Sequence, residues 1–114
     1  MIQELAVTIR ERGDVLIIDL QGDLTAVTGE FVEEAYQKAT EKGARKILFV
    51  FDKNNYINSA GIAVLVSITA ESRDQEQEIR VAGLSDHFCK IFDMVGLTKY
   101  ITIFSSEEAA LEEF

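Results

Sequence analysis

The chain has 114 residues, 47% of them hydrophobic and 27% charged, a balance that fits one globular domain with a modest core and excludes bulk disorder. Eleven basic against twenty acidic side chains leave a formal charge of −9, which repels nucleic acid and anionic membrane, so neither is expected as a partner. The single cysteine, Cys89, can form no internal disulfide. No leader-like segment opens the sequence and no apolar run nears the ~18 residues of a membrane span, so a cytoplasmic location is expected.

Leu5, Val7 and Ile9 alternate with Ala6 and Thr8, the period-two pattern of a strand with one buried face. Gly13-Asp14 reads as a tight turn. VLIIDL, 15–20, is then a second strand, antiparallel to the first and apolar enough to be buried on both sides. QGDLT breaks it. Beyond, Val27, Phe31, Val32, Ala35, Tyr36 and Ala39 recur at three- and four-residue steps, which predicts a helix with these residues on its buried face. Asp23 or Thr25 is the expected cap and Gly43 the expected stop. KILFVFD, 46–52, predicts a central third strand. The polar loop KNNYIN leads to a helix expected from about Ser59 to Glu71, after which the charged patch ESRDQEQE crosses the surface. IRVAG, 79–83, is a short fourth strand. Ser85 should cap a helix that turns Phe88, Ile91, Phe92 and Val95 inward and stops at Gly96. KYITIF, 99–104, reads as an edge strand, and Ser105 with Glu108 forms a capping box for a last helix.

The order β-β-α-β-α-β-α-β-α predicts an α/β fold: a single domain over 1–114, with a mixed, mostly parallel sheet of four to five strands and about four helices. Chemistry-bearing clusters are sparse. His87 and Cys89 sit two apart with no second pair to complete a zinc site, which reads as a surface histidine and a packed thiol on one helix. The sequence has no glycine-rich phosphate loop and no G-x-S-x-G elbow. Ser59, His87 and an aspartate could be written as a triad, but no spacing favours it. The expectation is a non-enzyme without metal or cofactor.

One stretch stands apart. In YINSAGIAVLV, 56–66, Asn58-Ser59-Ala60-Gly61 opens into an apolar run. Loops at the carboxyl ends of strands carry function in open α/β sheets. Ser59 falls at a helix N-terminus, where unpaired N–H groups and a partial positive charge would receive a phosphate well. The ordinary reading of that position is that Ser59 or Asn58 is only an N-cap. Ala60 and Gly61 are small enough to let another protein approach the serine. Gly61 in the first turn costs roughly 1 kcal/mol against alanine unless its space is used. Ile62, Val64, Leu65 and Val66 leave no polar face in the first two turns, as in a helix that is deeply buried or covered by a partner.

Three segments in order resemble the STAS domain of bacterial anti-sigma factor antagonists. YINSAGIAVLV is similar to the family's D-S-[ST/A]-G helix opening. IFDMVGLTKYITIF, 91–104, is similar to its LFD-x-x-GL segment, and DLQGDLT, 19–25, to its L-x-G-E-L-D. The resemblance spans essentially the whole chain. It implies partner switching: the unphosphorylated antagonist binds an anti-sigma factor that is also a serine protein kinase and so frees the sigma factor. The kinase then phosphorylates the first serine of the motif, matched here by Ser59, and the complex separates. A PP2C-type phosphatase resets the system. The family's partner-binding surface maps onto Asp23, Thr25, Asn58, Ser59, Ala60, Gly61 and Ile62. Asn58 and Thr25 stand where the family pattern has aspartates. That leaves open a weaker kinase substrate, an unusual partner, or binding without a switch, as in STAS scaffold modules and transporter-associated STAS proteins.

Overall fold

The computed structural model describes residues 5–114; the rest of the 1–114 span expected as one domain lies outside the described residues. β1 (Ala6–Arg12) and β2 (Val15–Gln21) form an antiparallel hairpin, with Arg12 opposite Val15. Gly13 in its two-residue turn has φ +62°, the left-handed conformation that such a turn requires. β3 (Lys46–Val50), β4 (Glu78–Ala82) and β5 (Thr102–Phe104) add on in parallel, so the spatial order β1-β2-β3-β4-β5 repeats the chain order. The helices are α1 (Gly29–Glu41), α2 (Ser59–Asp74), α3 (Asp86–Met94) and α4 (Glu107–Leu111), with a 3-10 turn at Leu97–Lys99.

Crossovers of one hand that step always in the same direction put their helices on one face of a sheet. Here Leu16, Ile18, Ile47, Phe49 and Val81 pack with Val32, Tyr36, Leu65, Ile68 and Phe92 of α1, α2 and α3. The alternate strand residues Val15, Ile17, Leu48 and Ala82 pack on the opposite face with Ala110 of α4. Both faces of β2 are therefore covered, which is why VLIIDL is apolar almost throughout.

The fold class stands as expected, with five strands and four helices among the described residues. Local details differ. α1 begins at Gly29, with Thr28 at the cap position, not Asp23 or Thr25; those two lie in the turn before it, tied to the Thr28 hydroxyl, and the Thr25 carbonyl accepts from the Gly29 N–H. Val27 (72% exposed) precedes the helix and Phe31 (48%) lies at the edge of its buried stripe of Gly29, Val32, Ala35, Tyr36 and Ala39. α2 continues to Asp74 and takes in half of the charged patch. Val95, expected inside, is the C-cap of α3 and is exposed. Only Thr102–Phe104 of the expected edge strand is extended, since the chain turns through Leu97–Lys99 first. Ser106, not Ser105, caps α4: its hydroxyl accepts from the Ala109 N–H at 3.1 Å, and with alanine at that third position no capping box forms.

Candidate functional site

β2 and β3 run parallel and adjacent, so the loops that leave them emerge at the same end of the sheet. There the loops pair with each other. The Leu24 N–H donates to the Tyr56 carbonyl (2.8 Å) and the Asn58 N–H donates to the Leu24 carbonyl (3.1 Å), making one isolated parallel rung between Leu24 and Ile57. Both of these side chains are buried, so apolar packing and backbone hydrogen bonds hold the loops at the same point.

α2 starts directly after this rung. Asn58 is extended (φ −91°, ψ −177°), and its Oδ1 accepts from the Gly61 N–H at 2.9 Å. The Ile62 N–H donates to the Asn58 carbonyl as the first rung of the helix. Asn58 thus does the capping, and Ser59, the first helical residue, keeps an exposed side chain. The N–H groups of Ser59 and Ala60 are among those that a helix start leaves without intrahelical partners. The first turn holds no acid.

The space left by Gly61 is used inside the chain. A Cβ there would lie 2.4 Å from the Leu24 carbonyl oxygen and 2.9 Å from its Cγ. The glycine lets α2 sit hard against the rung, and it is buried, while Ala60 and Ile62 are half-buried beside it. Asp23 and Thr25 are half-buried in the facing loop. The buried Thr28 organises that loop: its hydroxyl donates to the Asp23 carbonyl (2.7 Å) and accepts from the Thr25 N–H (2.9 Å). The structure therefore brings Asp23 and Thr25 to the same end of the sheet as Asn58–Ile62.

A shallow groove of about 280 Å³ starts at this end, lined by Ile57, Asn58, Ser59 and Ile62 on one side and by Ile91 and Val95 of α3 on the other. A second hollow, between Val66 of α2 and Val95, Leu97 and Tyr100, lies along the same pair of elements. Val66, Val95 and Tyr100 are exposed there, and the Arg73 guanidinium lies 4.2 Å from the centre of the Tyr100 ring. The missing polar face of α2 is thus split: Leu65 and Ile68 enter the core, Val64 packs against Gly29 of α1, and Val66 stays in solvent. The site combines an exposed hydroxyl at a helix start with an apolar groove running away from it.

As a polar loop, KNNYIN gave no sign of Asn55. The residue is buried, at 7% exposure. Its only signal was an amide three residues after Asp52 at a strand end, too common a spacing to single out. His87 is exposed and Cys89 half-buried on α3, where burial pushes the thiol pKa up. Among the described residues, no three His, Cys, Asp or Glu side chains gather as a metal site would need, and no helix is long and apolar enough to cross a membrane.

The sequence has curated relatives. It is 27% identical over 100 residues to the putative anti-sigma factor antagonist BtrV of Bordetella bronchiseptica, covering 88% of this chain and 86% of that one. The fold matches the crystal structure of an anti-sigma factor antagonist from Mycobacterium paratuberculosis, with a TM-score of 0.81 over 94% of this chain and 91% of the other, at 14% identity. It also matches the phosphorylated form of the Bacillus cell fate determinant SpoIIAA, with a TM-score of 0.65 over 91% of this chain and 96% of the other, at 19% identity. The sequence model of the STAS domain matches residues 6–110, which take in all five strands, both paired loops and the Ser59 helix, and the chain belongs to the STAS domain family.

Proposed function

We propose that this chain is an anti-sigma factor antagonist that works by partner switching. Unphosphorylated, it binds an anti-sigma factor that is also a serine protein kinase, and so frees a sigma factor. Phosphorylation of Ser59 separates the complex, and a PP2C-type phosphatase restores the hydroxyl. The protein acts by binding and performs no catalysis of its own.

The observation that carries this reading is the division of labour at the start of α2. Asn58 caps the helix, so Ser59 is exposed and free of that duty at the head of an apolar groove. A phosphate on Ser59 adds about −1.5 to −2 charges. The helix start tolerates that charge, so the fold need not change. A partner seated over the serine must desolvate it, and each ~1.4 kcal/mol lost in the complex weakens affinity tenfold. The names of the relatives point the same way.

A second reading is a STAS interaction module that binds without switching, as a signalling scaffold or beside a transporter. The neutral Asn58 and Thr25 favour it, because the resembling family pattern has acids there. Incubation with ATP and a cognate anti-sigma factor kinase, followed by intact-mass measurement, separates the two. The switch requires a gain of one phosphate that Ser59→Ala abolishes. No gain, or a gain that survives the substitution, rules it out; co-elution with the kinase in size exclusion would then support the second reading.

A further inference from the structure

We propose that Asn55 is a positioning residue that clamps the two site loops into one preformed surface. This rests on the reading of Ser59 as the centre of a docking face. Asn55 is more than nine-tenths buried, and its side-chain amide spans the gap between the loops. Its Oδ1 accepts from the Asp52 N–H and its Nδ2 donates to the carbonyl of Gly22, 33 residues earlier in the chain. These partners fix the orientation of the amide, since the flipped group would set donor against donor and acceptor against acceptor. Gly22 holds φ +119°, a conformation that favours glycine, and its carbonyl is the acceptor of this bond.

The clamp lies on the sheet side of the Leu24–Ile57 rung. From Gly22 to Asn58 the two loops are joined three times: by the Asn55 amide, by the Leu24 N–H and by the Leu24 carbonyl. Asp23 and Thr25 lie on one side of this seam, and Asn58 and Ser59 follow it on the other. A buried polar side chain left without its partner is costly, so the amide holds the loops together even with no partner protein bound. Surfaces ordered before binding lose less entropy on binding. Asn55 touches no partner itself; it fixes the relative placement of the residues that would.

Asn55→Asp tests this selectively. A carboxylate still accepts from the Asp52 N–H but presents an acceptor to the Gly22 carbonyl. In the variant, amide-proton exchange at Leu24 and Asn58 rises roughly tenfold, the scale set by losing one such hydrogen bond, while β3 and the interior of α2 keep their protection. In the kinase assay, KM for the chain rises and kcat does not, because what is lost is placement and not the hydroxyl. Unchanged exchange at Leu24 and Asn58, exchange raised evenly across the sheet, or an unchanged KM overturns the proposal. Should the variant not fold, the through-hydrogen-bond scalar coupling between Asn55 Nδ2 and the Gly22 carbonyl carbon in the unaltered chain decides, and its absence overturns the clamp. Failure of Ser59 to accept phosphate counts only against the switching reading, since the exchange measurement needs no kinase.

Discussion

The start of α2 and the short α4 are both fastened to the rest of the fold by polar groups, and the means are opposite. Neutral groups hold the start of α2: the amides of Asn55 and Asn58, the hydroxyl of Thr28 and the backbone of Leu24. Charged groups hold α4. Arg10 donates to both carboxylate oxygens of Glu107, at 2.7 and 3.1 Å, and pairs also with Asp19. Arg80 donates to the carbonyls of Ala110, Glu112 and Glu113 at 2.8, 2.9 and 3.1 Å, with its guanidinium 4.2 Å from the centre of the Phe114 ring. Lys46 reaches the Phe114 main-chain oxygen at 2.7 Å. The difference has consequences at each end. A seam held by neutral groups leaves the Ser59 end, among the described residues, with no ion pair to rearrange when a charge is added there. A strap fastened by ions answers instead to pH and salt.

The comparison can be broken from the neutral side first. Gly61→Ala pushes a methyl group into the Leu24 carbonyl. Overpacking of this kind costs about 3 kcal/mol, to be read from the urea midpoint, and the Leu24 and Asn58 amides should lose protection while those of α4 keep theirs. Arg80→Ala breaks the charged side. Loss of its three carbonyl contacts costs about 2 kcal/mol and should raise amide exchange in α4 alone.

The smallest effect is the acid response. Hydrogen bonding from Arg10 holds the Glu107 carboxyl below its ordinary range. A carboxylate with a lowered folded pKa contributes stability that is complete above the unfolded value of about 4.3 and is lost as pH falls through the folded one. Glu107 is about a third exposed, so the contribution is only about 0.5 kcal/mol. Urea midpoints at about pH 7 and pH 3 should draw together in Glu107→Gln relative to the unaltered chain.

The layered fold was legible because the strands carry continuous apolar runs and the helices carry stripes at three- and four-residue steps. Those signals need no knowledge of what lies across the sheet. The errors fell where a neighbour decides. Val27 and Phe31 match the helical period but sit at and before the helix start, and Thr28 takes the cap position without a side-chain cap bond, its hydroxyl being spent on the Asp23 carbonyl and the Thr25 N–H. Ser59 could be found from a local motif together with its place after a strand. Asn55 could not: its burial depends on Gly22, and nothing in KNNYIN marks one asparagine as inside and the next as outside. What fills the space at Gly61 was not legible for the same reason, since it is a carbonyl 37 residues away in the sequence, that of Leu24.

The agreement between chain order and sheet order bears on how the molecule assembles. Each strand's hydrogen-bonding neighbour is the strand just before it in the chain, so the sheet can grow by addition at one edge. Only the β1–β2 hairpin is local; the parallel pairs join residues such as Val15 and Lys46, and closing such crossovers slows folding. The loop seam spans more of the chain. Gly22 precedes α1 and its partner Asn55 follows β3. The surface that carries Ser59 therefore needs segments from both sides of α1 and β3, and a chain stopped before β3 would lack Asn55, Ile57 and Ser59 and so have no face to offer a partner.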